Sequence, residues 1–182
     1  TILDINKVLL SPFFERYLSI KIPKIYAPSV AKELIEKKLE ERNIRYKINI
    51  YNENTTVKTK YFNIEFFRTT HSIPDSHGIS INTPNGTIVM TGDFKFDFTP
   101  IGPMADIHKM AEIGKKGVAV LMSDSTNALS EGISVSESKV DENLGEIFAS
   151  NKENRIIVAT FASNIYRLKH IIETCKKNKR KV

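Results

Sequence analysis

A histidine and an aspartate that each follow a strand-like segment are the residues of this chain best suited to chemistry. His71 comes shortly after the alternating apolar residues of 62–66, and Asp93 comes shortly after the apolar residues 88–90. Imidazole and carboxylate groups are common ligands of zinc and manganese, and loops on a rigid scaffold leave such ligands open to substrate. The alternatives are a histidine bonded to backbone and an aspartate that caps the following turn, because two separate residues do not define a site.

The elements around these residues are predicted from periodicity and turn residues. The order of strands and hairpins first, then alternating strands and helices, indicates a layered α/β protein. Asn85-Gly86 predicts a hairpin whose second strand leads to Asp93. The apolar runs 118–122 and 156–159 are typical of strands covered on both faces. Strands are predicted over 22–27, 44–50, 62–66, 79–81, 88–90, 118–122, 156–159 and 180–182. Helices are predicted over 29–42, 105–113, 134–150 and from 165 onward. The predicted helix ends are Ser29 and Asn164 as N-caps, a Ser134–Glu137 capping box, and Gly114 as the stop after 105–113.

The pattern changes in the loop 129–133, which is the predicted domain boundary. Residues 1–133 would form part of one domain, and 134–182 would be the beginning of a second, truncated one. A chain of 182 residues can bury a sizeable core. It does not begin with Met, so we expect a fragment of a longer protein.

Composition narrows the class of protein. Hydrophobic and charged fractions of 41% and 26% are those of a soluble globular protein, and we find no apolar run long enough to span a membrane. The net charge of +6 suits a polyanion such as RNA. The basic run 176–181 could bind RNA as well, but it also suits a solvated helix end. The single Cys175 cannot form an internal disulfide, which fits a reducing cytoplasm.

Five short motifs resemble one enzyme family. The longest is Thr-His-Ser-Ile-Pro-Asp-Ser at Thr70–Ser76, followed by Thr-Gly-Asp-Phe-Lys at Thr91–Lys95. The others are Lys21–Ala27, Ser123–Asn127 and Phe161–Asn164. Together they resemble ribonuclease J, from the β-CASP branch of the metallo-β-lactamase fold. The resemblance implies part of a metallo-β-lactamase αβ/βα sandwich, with the start of a β-CASP domain inserted after about residue 133.

The same resemblance implies roles for individual residues. His71 and Asp93 would be catalytic metal ligands for two divalent ions, zinc or manganese, with magnesium as a further option. The substrate-binding residues would be Lys95, Ser125, Thr126, Ser163 and Asn164. Lys95 could instead only pair with Asp97. The other histidines (His77, His108 and His170) match no ligand motif.

One expected motif departs from the family pattern. Ribonuclease J-like enzymes carry His-x-His-x-Asp-His upstream, and an ungapped alignment through Lys21–Ala27 places that motif on Asp4–Leu9. Asp4 could ligate a metal, whereas Val8 and Leu9 replace a carboxylate and an imidazole. Either the site is dismantled and holds no metal, or the true motif precedes Thr1, or ligands come from a part of the family sequence that this chain does not reach.

Two functions follow from these observations. One is metal-dependent hydrolysis of RNA phosphodiesters in RNA processing and decay, both exonucleolytic from the 5′ end and endonucleolytic. The other is a non-catalytic paralogue that binds RNA as a structural or regulatory subunit. The expected partners are RNA and either a second copy or a ribonuclease J paralogue, in the cytoplasm and without a membrane.

Overall fold

The structure, a computed structural model, describes residues 24–182. Asp4, the segment 4–9 and the first residues of the predicted strand 22–27 therefore lie outside the described residues. The chain divides into two compact units between Asn52 and Glu53. The predicted boundary between residues 133 and 134 stays a prediction.

The described part of the first unit is a strand–helix–strand motif. Strand β1 (Ile25–Ala27) pairs in parallel with β2 (Ile48–Ile50), and helix α1 (Ser29–Glu40) connects them. The core consists of Ala27, Ile35, Leu39 and Ile48. The helix prediction is confirmed, but Pro28 rather than Ser29 flanks its first turn. The strand predicted over 44–50 forms only at its C-terminal end.

The second unit is built on a five-stranded sheet whose order follows the sequence. Its strands are β3 (Thr56–Lys58), β4 (Asn63–Arg68), β5 (His77–Thr83), β6 (Gly86–Met90) and β7 (Val120–Met122). The first four strands are antiparallel neighbours, and β7 lies parallel to β6 at the edge. The hairpin prediction is confirmed: Thr83 pairs with Gly86, and the positive φ of Gly86 (130°) suits a residue without a Cβ.

Helix α2 (Ile107–Lys116) supplies the residue that completes the core of this sheet. Phe67, Val89 and Ile113 form the cluster, so β4, β6 and α2 each contribute one side chain. The predicted helix end at Gly114 is wrong. The helix continues to Lys116, and Gly117 with φ of 90° ends it, because a left-handed residue without a Cβ is a common stop. Asp106 caps the start by accepting a hydrogen bond from Lys109 N.

Two further helices follow. Helix α3 (Glu137–Ser150) ends as predicted, but its N-cap is Ser136 and not Ser134. Helix α4 (Ile165–Lys177) begins after Asn164, whose side chain accepts from Arg167 N at 3.1 Å, so that predicted cap is confirmed.

Three predicted strands are corrected by the structure. The run 118–122 forms a strand only over 120–122, and all three of its residues are exposed rather than covered. Residues 156–159 and 180–182 are not strands, and Ile157 is exposed. An apolar run predicts burial only where another layer covers it, and among residues 24–182 none covers β7 or residues 156–159 closely enough to bury them.

Candidate active site

The loop after β4 and the turn after β6 are joined by a backbone bridge. Lys95 N donates to Thr70 O at 2.8 Å, and the Thr70 hydroxyl donates to Lys95 O. This bridge sets two strand ends side by side and brings the imidazole of His71 next to Asp93. The distance from His71 Nε2 to Asp93 Oδ2 is 3.7 Å. The proximity of the two best ligand candidates is thus a consequence of local backbone pairing.

Hydrogen bonds within each loop fix the two backbones. Thr69 N donates to Ser76 O at 2.9 Å, which closes the loop that carries His71. Gly92, just before Asp93, has φ of 61°. A Cβ there would lie 3.3 Å from His77 O, so the turn needs a glycine for its conformation and its space. The His71 and Asp93 side chains retain 33% and 58% of their exposure, and both can be reached by a ligand.

The two side chains line an open cavity of about 680 Å³. Loops that follow β4, β6 and β7 form most of its wall, together with Glu137 and Tyr166 from the helices. Of the predicted substrate residues, Lys95, Ser125 and Thr126 also line it. Ser163 and Asn164 are not among the described lining residues. Asn164 is buried and its side chain caps α4, which accounts for its presence without a ligand.

Asp124 is an acid in this cavity that sequence reasoning did not single out. It follows β7, and its backbone N–H donates to the Thr91 hydroxyl at 3.0 Å. Thr126 donates to Asp124 Oδ1 from its hydroxyl at 2.6 Å and from its backbone N–H at 2.9 Å. These hydrogen bonds, with a smaller contribution from His71, hold the pKa of Asp124 below its usual value. In the sequence, only its position directly after the apolar run 118–122 indicated a possible site residue.

Tyr166 is a second lining residue that the sequence did not indicate. Its ring packs so closely on Gly102 that a Cβ there would lie 2.2 Å from the phenolic oxygen. Burial, followed by the charge of Asp75, raises the pKa of Tyr166. The tyrosine therefore stays protonated at neutral pH.

Lys95 is held by protein oxygens. Its ammonium group donates to Val135 O at 2.7 Å and lies 3.5 Å from a carboxylate oxygen of both Asp97 and Glu137. The predicted pairing of Lys95 with Asp97 is therefore present. The role of Lys95 in phosphate binding stays a prediction.

The remaining histidines lie outside the cavity wall. The side chain of His77 is buried, with Nδ1 2.7 Å from Asp75 O and Nε2 3.6 Å from Glu53 Oε2. His108 is exposed on α2 and lies 3.2 Å from Glu112, and His170 pairs with Asp141 between α3 and α4.

The donor set for a metal is partial within residues 24–182. No group of three or more His, Cys, Asp or Glu side chains there could hold an ion. His71 and Asp93 nevertheless supply a nitrogen and an oxygen of the kinds that zinc and manganese accept. These two residues fit part of a metal cage, and further donors would have to come from beyond the described residues.

Comparison with known proteins assigns the family. Residues 153–182 match the family described as ribonuclease J, beta-CASP domain. The chain is 44% identical over 165 residues to ribonuclease J of Mycoplasma pneumoniae, covering 90% of this chain and 29% of that protein. It is 45% identical over 173 residues to ribonuclease J 1 of Streptococcus pyogenes, covering 94% and 30%. The chain belongs to the ribonuclease J-like metallo-β-lactamase/β-CASP family.

This ribonuclease J-like chain spans under a third of the length of those relatives. A solved structure, a protein of unknown function from Enterococcus faecalis V583, shares the fold. Its TM-score is 0.65 at 17% identity, covering 82% of this chain and 39% of that one. The ribonuclease J family is metal-dependent, which agrees with the donor types of His71 and Asp93.

Proposed function

We propose that this chain carries part of the active site of a ribonuclease J-like enzyme, which hydrolyses RNA phosphodiesters in RNA processing and decay. The activity would be exonucleolytic from the 5′ end and endonucleolytic. The observation that supports it most is the 3.7 Å approach of His71 and Asp93 at an open cavity. The net charge of +6 adds a general attraction for the polyanionic substrate.

His71 and Asp93 would hold the divalent cations, zinc or manganese with magnesium as a further option. Ions in such a site activate water and stabilise negative charge on phosphoryl oxygens. Asp124, ionised beside His71, adds negative charge that favours a cation here. Thr126 donates to Asp124 and so keeps that carboxylate oriented. Ser125 lines the same cavity, and its hydroxyl would bind a phosphate. Ser163, beside the Asn164 cap, would contact RNA outside the described cavity wall.

The test is a Mn²⁺-dependent nuclease assay on the purified protein with its single-site variants. We expect His71→Ala and Asp93→Asn each to lower the rate at least about 100-fold, since metal stabilisation of the transition state contributes several kcal/mol. His108→Ala is the matched control, because this exposed histidine on α2 contacts only the cavity-remote Glu112 among the pairs described. Equal rates in all four proteins would refute the proposal.

A non-catalytic RNA-binding paralogue is the second candidate. It is favoured by Val8 and Leu9, which occupy the positions where an ungapped alignment expects a metal-binding Asp-His pair. In that case RNA would bind, and no variant would change a background rate. Association with a second copy or with a paralogue, in the cytoplasm, would suit either function. No helix within residues 24–182 is long and apolar enough to cross a membrane.

A further inference from the structure

We propose that Lys95 is a positioning residue that fixes the turn carrying Asp93 to the start of helix α3, and that Glu137 extends this connection to Arg167 on α4. The effect on turnover rests on the proposed function. The connection itself does not, because it follows from contacts among described residues.

The backbone of Lys95 already holds the two candidate ligand loops together. Its N–H and C=O both bond to Thr70, the neighbour of His71, and Asp93 lies two residues before it in the same turn. Any displacement of Lys95 therefore moves both loops. A residue in this position can set the distance between imidazole and carboxylate without touching either group.

The side chain of Lys95 reaches away from this bridge, toward α3. Its three possible donors face three oxygens: Val135 O at 2.7 Å, Glu137 Oε1 at 3.5 Å and Asp97 Oδ2 at 3.5 Å. Two of these acceptors belong to the segment that opens α3, about 40 residues further along the chain. The ammonium group thus links the candidate metal turn to a distant helix.

Asp97 strengthens the same junction. Its side chain is buried and accepts from Glu137 N at 2.9 Å and from Thr99 N at 3.0 Å. A carboxylate that accepts from the first N–H groups of a helix satisfies unpaired donors and complements the helix dipole. Lys95 compensates the negative charge that Asp97 would otherwise bury alone. The cation Lys95 and the anion Asp97, which lie in the same loop after β6, therefore both bind the start of α3.

Glu137 carries the connection to the next helix. One of its carboxylate oxygens lies near Lys95, and the other accepts from Arg167 Nη2 at 2.6 Å. Arg167 belongs to residues 153–182, the segment that matches the ribonuclease J beta-CASP family. A chain of four charged side chains (Lys95, Asp97, Glu137 and Arg167) therefore joins the candidate metal turn to the β-CASP segment.

Lys95→Met tests this inference, with Lys95→Arg as the conservative variant and Lys139→Met as the control. Lys139 also lies on α3, but it is exposed and pairs locally with Glu142 at 2.9 Å. We expect Lys95→Met to lower kcat about 10- to 100-fold, as for residues that orient metal ligands, with KM for RNA changed less than about twofold. Lys95→Arg should restore part of kcat, and Lys139→Met should change neither constant.

A second readout requires no turnover. In ¹H–¹⁵N spectra, Lys95→Met should shift the His71 ring and Arg167 side-chain signals, although Lys95 contacts neither group. Glu137→Gln retains the side-chain shape and should shift the Arg167 signal and that of the Lys95 ammonium. These variants keep the test decisive if Lys95→Met does not fold.

Two outcomes would overturn the inference: unchanged His71 and Arg167 signals in a folded Lys95→Met protein, or a higher KM at unchanged kcat, which would make Lys95 a phosphate ligand. A wild-type protein without nuclease activity would instead count against the proposed function. The spectral shifts would still decide whether Lys95 connects the two segments.

Discussion

The antiparallel strands β4 to β6 differ in burial from β7 and from residues 156–161, although the latter two stretches are the more apolar in sequence. Phe67 of β4 is 3% exposed, whereas Phe161 is 85% exposed. Val89 of β6 is buried, whereas Leu121 of β7 is exposed. In the first region, α2 covers one face of the sheet through Ile113. The comparison shows that an apolar sequence permits burial, and that burial occurs only where a second layer packs against it.

The largest expected difference is between two phenylalanine substitutions. Phe67→Ala should lower the free energy of unfolding by about 3–5 kcal/mol, because it opens a cavity in the core. Phe161→Ala should change it by less than about 0.5 kcal/mol, because the exposed ring loses little on truncation. Urea unfolding of both variants measures the difference. Similar losses would show that residues 156–161 are packed as tightly as the sheet.

Two glycine substitutions compare a closely packed position with one that has open space around it. Gly78→Ala on β5 would place a Cβ 2.1 Å from the Phe67 ring, and we expect a loss of about 1–3 kcal/mol from overpacking. Gly145→Ala within α3 meets no described atom within 4 Å and should add about 0.5–1 kcal/mol through helix propensity. Thermal unfolding checks both signs. A neutral Gly78→Ala would mean that the Phe67 ring moves aside freely.

A smaller effect on stability is expected from two carboxylates, the buried Asp97 and the half-buried Asp124 that follows β7. Burial acts to raise the pKa of Asp97, but hydrogen bonds from Glu137 N, Ser136 and Thr99 N, aided by Lys95, hold it below its ordinary 3.8. A lowered folded-state pKa stabilises the protein fully above the unfolded-state value, and this contribution is lost as pH falls through the folded-state value.

The stability difference between wild type and Asp97→Asn should therefore shrink as pH falls below about 4. Unfolding titrations between neutral pH and pH 2 measure it. Asp124→Asn is the control and should show a smaller change, because its hydrogen bonds are exposed to water. A pH-independent difference for Asp97→Asn would contradict the assigned cause of its pKa shift.

Some features that depend on neighbouring residues could be predicted from the sequence. Asn85-Gly86 specified the β5–β6 hairpin, and Asn164 specified the start of α4, because turns and caps are formed within a few residues. The approach of His71 to Asp93 was also foreseeable, because each follows a strand of one sheet and both match motifs of a single family. Whether these two bind metal stays a prediction.

Features that depend on distant parts of the chain could not be predicted. The contacts of Asp97 and Lys95 with the start of α3 join residues about 40 positions apart, and no local pattern encodes that pairing. Asp124 follows an apolar run and lies within the Ser123–Asn127 motif, but its proximity to His71, about 50 positions earlier in the chain, is set by tertiary packing. The exposure of β7 was missed for the same reason: the apolar run shows what could be buried, and its neighbours in space are set by tertiary packing.

The central claim is that His71 and Asp93 share one divalent metal ion. Its most direct test is to follow Mn²⁺ binding at individual histidines. Paramagnetic Mn²⁺, added in small steps to the ¹⁵N-labelled protein, broadens the signals of groups near it. We predict that the His71 ring and the Asp93 amide broaden first, that His71→Ala abolishes the effect at Asp93, and that His108→Ala leaves it intact. Equal broadening at His71 and His108, or none at His71, would contradict the claim.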